Sequence, residues 1–146
     1  MIVSTKGRYA IRAMADFALN GKDKPVSLTD VANRQEISQK YLEAVIRPLN
    51  KSGFLKSKMG KNGGYQLNRE PKDYTLLEIL QSAEDSLAPV SCLEGEGPTC
   101  NRSDVCLTLP IWRELDQMIE NFFRNLTLED VLQGNIHNEE GGKIKL

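Results

Sequence analysis

The 146-residue sequence predicts a mainly α-helical fold with a small β-hairpin wing: a winged helix-turn-helix followed by a long dimerisation helix. Three observations predict it. Apolar residues recur at helical spacing in successive short segments, a Gly- and Asn-bearing hairpin pattern follows the third of them, and an amphipathic stretch near the C-terminus is too broad for one small domain to bury. Charge divides along the same line. Residues 1–70 hold 13 Lys+Arg against 6 Asp+Glu, a net of +7, whereas residues 71–146 hold 6 against 14, a net of −8. A basic half followed by an acidic one directs only the first toward a polyanion.

The first helix is carried by Ala10, Ala13, Met14, Phe17 and Ala18, at i, i+3, i+4, i+7 and i+8, with Ser4 or Thr5 as cap, Gly21 as stop, and Arg8 and Arg12 on the other face. A second, short helix is capped by Ser27, with Asp30 three residues on and Leu28, Val31 and Ala32 facing inward. A third begins at Ser38 and buries Leu42, Val45, Ile46 and Leu49, and Pro48 is expected to kink or shorten its end. Two short helices joined by a tight turn, the second with a polar outer face, form a helix-turn-helix whose second helix fits the DNA major groove. Its candidate DNA-binding residues are Ser38, Gln39, Lys40, Tyr41, Glu43, Ala44 and Arg47. Glu43 has two readings, as an acceptor toward cytosine that confers discrimination or as an i, i+4 partner of Arg47. Two strands at 54–58 and 64–68, joined by "GKNGG", form the wing, where Lys56, Lys58 and Lys61 would lie along phosphates. "GKNGG" lacks the spacing of a nucleotide-binding loop.

The DNA-binding region therefore spans 1–70. A connecting segment, 71–91, contains a helix capped by Thr75 with Glu78 at the capping-box position. Residues 92–106 form a cysteine loop. Residues 107–133 hold the dimerisation helix and a short capped helix, and 134–146 read as a flexible polar tail. In the long helix Trp112, Leu115, Ile119, Phe122 and Leu126 alternate steps of three and four, with Ile111, Met118 and Phe123 widening the stripe. A matching helix from a second copy would cover it.

All three cysteines lie in fifteen residues, spaced Cys92-x7-Cys100-x5-Cys106, on a loop containing Gly95, Gly97 and Pro98. A disulfide would use only two of them, and the redox Cys-x-x-Cys spacing is absent. Read from the residues alone, an iron–sulfur cluster and a structural zinc ion fit equally well. No base or cofactor motif stands beside any cysteine, so an enzyme is not expected. No stretch approaches the roughly 18 apolar residues of a membrane span, and the start lacks the apolar run of a signal peptide, so the expected location is the cytoplasm.

The opening "STKGRYAIRAM", the stretch "ISQKYLEAVIRPLNKSGFL", the wing "GGYQL" and the ordered three cysteines followed by Leu-Thr and Trp together resemble the IscR-type iron–sulfur cluster regulators of bacteria, from residue 1 to about 132. The resemblance implies a homodimeric transcription regulator that binds double-stranded DNA with two-fold related half-sites, carries a [2Fe–2S] cluster on Cys92, Cys100 and Cys106, and controls genes of iron–sulfur cluster biogenesis. Relatives that sense nitric oxide or cysteine supply share the fold, so a thiol- or zinc-based sensor is the alternative. This chain departs from the pattern at the fourth ligand. Many IscR-type proteins have a histidine three residues after the third cysteine, where Leu109 stands here, and the single histidine, His137, lies in the tail. Candidates for the fourth ligand are therefore Glu43, Glu94, Glu96 and Asp104. In the wing, relatives resembling "RGPGGGY" have an arginine where this chain has Met59.

Overall fold

The computed structural model describes residues 3–97, 100–137 and 143–144. Helices α1 (Thr5–Asn20), α2 (Leu28–Gln35) and α3 (Gln39–Lys51) precede strands β1 (Leu55–Lys58) and β2 (Gly64–Leu67). A 3-10 turn (Pro71–Asp73) leads to α4 (Leu76–Ala83), and the cysteine loop contains two further 3-10 turns, Ser91–Leu93 and Ser103–Val105. Then come α5 (Leu109–Arg124), α6 (Leu128–Gln133), and the two-residue strands β3 (Ile136–His137) and β4 (Lys143–Ile144). The expected mainly helical winged helix-turn-helix is the architecture observed.

Local chemistry sets the helix starts. The Ser4 hydroxyl accepts from the Lys6 and Gly7 N–H groups, Ser27 from Asp30, Ser38 from Tyr41 and Thr75 from Glu78, each satisfying a donor that has no partner inside its own helix. Glu36 closes α2 in the left-handed region at φ 55°, making the tight turn into α3. The expected shortening at Pro48 does not occur: α3 runs on to Lys51. The donor that proline lacks would have served Ala44, whose residue is exposed to solvent, and the last turn closes by Ser52 N–H to the Pro48 carbonyl at 2.9 Å.

The wing pairs antiparallel, Leu55 with Leu67 and Lys58 with Gly64. Each strand is one residue shorter at its base than expected, because the fully buried Tyr74 intervenes: its hydroxyl donates to the Phe54 carbonyl at 2.6 Å and accepts from the Asn68 and Arg69 N–H groups at 2.9 and 3.0 Å. The wing is also tied to the chain ahead of α2, where Val26 and Tyr65 exchange two backbone hydrogen bonds of 2.9 Å.

One core is shared by the head and the connector. Ala10, Ala13, Met14 and Phe17 of α1, Val31 of α2, Leu42, Val45, Ile46 and Leu49 of α3, Ile79 of α4 and Leu128 of α6 are buried together. The tail departs from expectation in having a strand pair, Ile136 opposite Ile144 and His137 opposite Lys143, with Ile136 packed on the core. Residues 138–142 and 145–146 lie outside the described residues, as does Pro98 of the loop.

Among the described residues Asp16 is the buried charged one, 2% exposed, and it joins α1 to α2. Arg34 donates to it at 2.6 and 3.1 Å, Gln35 at 2.9 Å and Asn20 at 3.3 Å. Burial alone would raise its pKa, but the hydrogen bonds from Arg34 and Gln35, the Arg34 charge and the Asn20 bond together hold it below the ordinary value. A carboxylate with a depressed folded pKa stabilises fully above its unfolded value, about 3.9, and loses that contribution as pH falls through the folded value. Asp16→Asn should therefore cost about 2 kcal/mol in urea unfolding at pH 7, less than a fully buried pair because Arg34 is partly solvated, and the difference from wild type should shrink toward pH 2. An equal difference at both pH values would refute the assignment.

Candidate functional site

The recognition helix presents Gln39, Lys40, Tyr41, Glu43, Ala44 and Arg47 to solvent, while its stripe Leu42, Val45, Ile46 and Leu49 is buried. Ser38 caps it. A short chain of hydrogen bonds runs along its outer face, from the Thr29 hydroxyl to Gln39 Oε1 at 3.1 Å and from Gln39 Nε2 to Glu43 Oε1 at 3.5 Å. Glu43 thus meets Gln39 rather than Arg47; among the described residues the ion pairs are Arg34–Asp16, Arg69–Glu78 and Arg124–Glu120. Glu43 and Arg47 line a groove of about 250 Å3 with Leu28, Asn50 and Tyr65, between the recognition helix and the wing. Lys56, Lys58 and Lys61 are exposed, with Lys56 and Lys58 two apart on one face of β1.

The first helix adds residues that the motif reading passed over. Tyr9 meets the Tyr41 ring edge-on at 5.6 Å, and the Arg12 guanidinium lies 5.0 Å from the Tyr9 ring centre while donating to Gln35 Oε1 at 3.2 Å and to the Gln35 carbonyl. The outward placement of Arg12 was visible in the sequence; its aromatic neighbours come together only through the α1–α3 packing.

Cys92, Cys100 and Cys106 are free thiols, each half-buried. Cys92 and Cys100 line one cleft of about 480 Å3 with Ser91, Asn101 and Arg102. Cys106 stands at the foot of α5, its Sγ 3.4 Å from the Thr108 hydroxyl. Hydrogen bonds from the Thr108 side chain and backbone lower the Cys106 pKa from the ordinary thiol value; slight burial opposes them, and the Leu109 N–H and Arg102 charge add to them. Glu94, Glu96 and Asp104 are exposed on the same loop, whereas Glu43 lines the separate groove beside the wing. Among the described residues no three His, Cys, Asp or Glu side chains stand together as a metal-binding set. The donor chemistry suits a thiolate-held centre, and gathering the three sulfurs would require the loop to close. Leu109, three residues after the third cysteine, is buried as the first residue of α5.

At the root of this loop lies a residue with no signature in the sequence. Glu84 closes α4 and sends its carboxylate to the start of α1, accepting from the Ser4 N–H and hydroxyl at 2.8 Å each and from the Gly7 N–H at 3.1 Å. A Cβ on Gly7 would overlap that carboxylate, which explains a glycine in the first turn of a helix.

Ile111, Leu115, Met118 and Phe122 form the exposed apolar face of α5, and Leu107 just ahead of the helix is exposed as well. Trp112 and Ile119 flank this face half-buried, and Phe123 turns onto the core. Leu126 does not belong to the seam. The helix ends at Arg124, and Leu126 is 6% exposed in the protomer's own core, where its carbonyl accepts from the Leu76 N–H at 2.8 Å.

A basic helix-turn-helix head with a wing, joined through a thiol-bearing loop to a helix with a bare apolar face, defines the class: a winged-helix DNA-binding regulator. The model of the Rrf2 family, described as iron-dependent transcriptional regulators, matches residues 3–134, and the chain belongs to that family. It is 41% identical to Protein rrf2 of Nitratidesulfovibrio vulgaris over 133 residues, covering 91% of this chain and 88% of that protein. Identity to the HTH-type transcriptional regulator IscR of Klebsiella pneumoniae is 36% over 140 residues, 96% of this chain and 82% of the relative. Among solved structures, T. potens IscR superposes with a TM-score of 0.72 at 36% identity over 91% of this chain and 87% of that one. CymR, the global cysteine regulator of B. subtilis, superposes with a TM-score of 0.73 at 32% identity over 91% of this chain and 97% of that one. The protein is thus a transcription regulator of the IscR and CymR type rather than an enzyme, as the sequence resemblance implied.

The link between loop root and head has a measurable signature. Ala is a better helix former than Gly by about 1 kcal/mol, yet Gly7→Ala should destabilise the protein, because the new methyl displaces the Glu84 carboxylate. In a Glu84→Ala background the same change should lose at least about 1 kcal/mol of its penalty, a coupling read by a double-mutant cycle in urea. Additive effects would refute the cap.

Proposed function

We propose that this protein is a homodimeric regulator whose operator binding responds to a [2Fe–2S] cluster held by Cys92, Cys100 and Cys106, and that it controls genes of iron–sulfur cluster biogenesis in the cytoplasm. The observation carrying this reading is the set of three half-buried free thiols on one loop, the last of them hydrogen-bonded at the foot of the helix whose apolar face is bare. Thiolates are the usual ligands of such clusters, and the lowered pKa of Cys106 favours the ligating form. A bound cluster would supply a centre whose presence and oxidation state follow iron and oxidant supply. The fourth ligand is a loop carboxylate, Glu94, Glu96 or Asp104, all exposed beside the cysteines, whereas Glu43 is engaged with Gln39 on the DNA face.

On DNA, the recognition helix enters the major groove with Gln39, Lys40, Tyr41, Glu43, Ala44 and Arg47 outward, and Lys56, Lys58 and Lys61 follow the phosphates. Glu43, a carboxylate kept on that face, accepts from a base amino group and penalises bases that offer only acceptors. A second copy packs against Ile111, Leu115, Met118 and Phe122, which sets two heads on two-fold related half-sites. No helix among the described residues is long and apolar enough to cross a membrane. A second reading, a thiol- or zinc-based sensor on the same scaffold, is favoured by the likeness to a cysteine regulator.

Anaerobic purification followed by visible absorption and iron, sulfide and zinc analysis separates the two readings. We expect iron and acid-labile sulfide in equal amounts, a spectrum bleached by Ala at any one of the three cysteines, and no change with His137→Ala. Stoichiometric zinc without sulfide would replace the cluster with the second reading. Leu115→Glu combined with Phe122→Glu should give monomers in sedimentation and lower operator affinity by about 100-fold, since each half-site is then bound alone. A persistent dimer would remove α5 from the interface.

A further inference from the structure

Thr29, the second residue of α2, lies outside the recognition helix, yet its hydroxyl reaches the first residue of that helix. It donates to Gln39 Oε1 at 3.1 Å, and Gln39 Nε2 donates to Glu43 Oε1 at 3.5 Å. The direction of this chain is set at its acidic end. A carboxylate can only accept, so Gln39 turns its amino group to Glu43, and its oxygen is left facing the Thr29 hydroxyl. All three residues are exposed on the face that α3 presents to DNA.

The fold holds both ends of the Thr29–Gln39 contact. Ser38 caps α3, accepting from the Tyr41 N–H at 3.3 Å, which fixes the backbone next to Gln39. Between the helices Glu36 sits at φ 55°, the Ile37 N–H donates to the Ala32 carbonyl at 3.0 Å, and Ile37 is buried. The far end of α2 is tied to Asp16 through Arg34 and Gln35. Thr29 has a β-branched side chain with few rotamers open to it in a helix, so its hydroxyl stays aimed. The separation of Thr29 from Gln39 is therefore a property of the helix-turn-helix.

We infer that Thr29 is a positioning residue for base recognition: by holding Gln39 Oε1 it makes Gln39 a hydrogen-bond donor toward DNA and directs it to guanine rather than adenine. The inference rests on DNA binding by this head through α3. A free glutamine amide suits adenine, since its oxygen accepts from N6 while its nitrogen donates to N7. Here the oxygen is engaged by Thr29 and one N–H by Glu43, so the amide has a single N–H left to offer. Guanine answers it with two neighbouring acceptors, O6 and N7, whereas adenine would bury its N6 amino group without a partner. The bond from Thr29 strengthens once the groove excludes water, where leaving it unmade costs most.

The test uses the full-length protein. Duplexes are selected from a randomised library, and Gln39→Ala identifies the base pair at which residue 39 discriminates. At that base pair wild type and Thr29→Ser, which keeps the hydroxyl, should prefer guanine over adenine by about tenfold, within the usual effect of a single base-pair change. Thr29→Val keeps the shape and removes the donor, and should bring adenine level with guanine or ahead of it while preferences at other positions stay as they were. Thr29→Ala should do the same. In a Gln39→Ala background Thr29→Val should change nothing further, because the two residues act as one unit. In the free protein the Gln39 side-chain amide resonance should move with Thr29→Val and stay in place with Thr29→Ser. Thermal unfolding of all variants should match wild type, since the side chains are exposed. An unchanged guanine preference in Thr29→Val, an equal shift in the Gln39→Ala background, or no position sensitive to Gln39→Ala would overturn the inference while DNA binding stands. Failure of wild type to retain any duplex at low salt would overturn the DNA-binding reading itself.

Discussion

The carboxylate of Glu84 joins the two halves of this chain. A helix start needs acceptors for its first N–H groups and favours negative charge, yet α1 has no acidic residue in its own first turn. The charge comes from the end of α4, 77 residues away from Gly7 in sequence, and it binds the Ser4 and Gly7 N–H groups together with the Ser4 hydroxyl. The stretch that leads from α4 into the cysteine loop begins where that contact is made. Whatever repositions the loop root therefore acts on the end of the helix around which the DNA-binding head is built.

From α1 the constraint continues outward through polar contacts that fix angles rather than merely fill space. Asp16 binds Arg34 and Gln35 of α2, and Arg12 binds Gln35 from the next turn of α1. A buried carboxylate without such partners would be strongly destabilising, so the α1–α2 geometry that satisfies it is favoured over sliding alternatives. Tyr74 does the same for the wing, receiving two backbone N–H groups and capping the Phe54 carbonyl while Arg69 lies 4.3 Å over its ring. Helix α2 and the wing are thus oriented by separate buried anchors, Asp16 and Tyr74.

Features governed by neighbours in the chain were legible in the sequence. The caps at Ser27 and Thr75, a cap at Ser4 or Thr5, the start of α3 after Ser38, its buried stripe and the Asn-Gly hairpin follow from spacing alone, and the structure has them, choosing Ser4 for the first. Features decided by distant residues were not. The wing strands end early because Tyr74 competes for their last backbone groups, and the Arg47 pair, one of the two readings of Glu43, gives way to a contact with Gln39. Leu126 fits the heptad spacing of the preceding helix, but spacing cannot reveal that the helix has already ended, nor that Leu126 pairs with Leu76 across the core. Of the candidate ligands, the cysteines were legible by their clustering, while the carboxylates differ only in three-dimensional position, which spacing does not encode.

The loop and α5 are built unlike the head. Neither 3-10 turn of the loop has a buried residue, and α5 buries Leu109 alone, whereas the stripes of α1 and α3 are sealed. Segments with few buried apolar contacts rearrange at low free-energy cost without unfolding the core. Ligation of the three thiols would draw on that low cost, and its free energy would act first on the loop and on the foot of α5 at Thr108 and Leu109. Because Leu109 anchors α5 in the core, the helix would respond by changing how its bare face is presented rather than by detaching. The head, held by Asp16 and Tyr74, would stay folded throughout. In the proposed dimer, a signal received at the cysteines would then be transmitted as a change in the relation between two intact heads, the quantity to which binding at paired half-sites is sensitive.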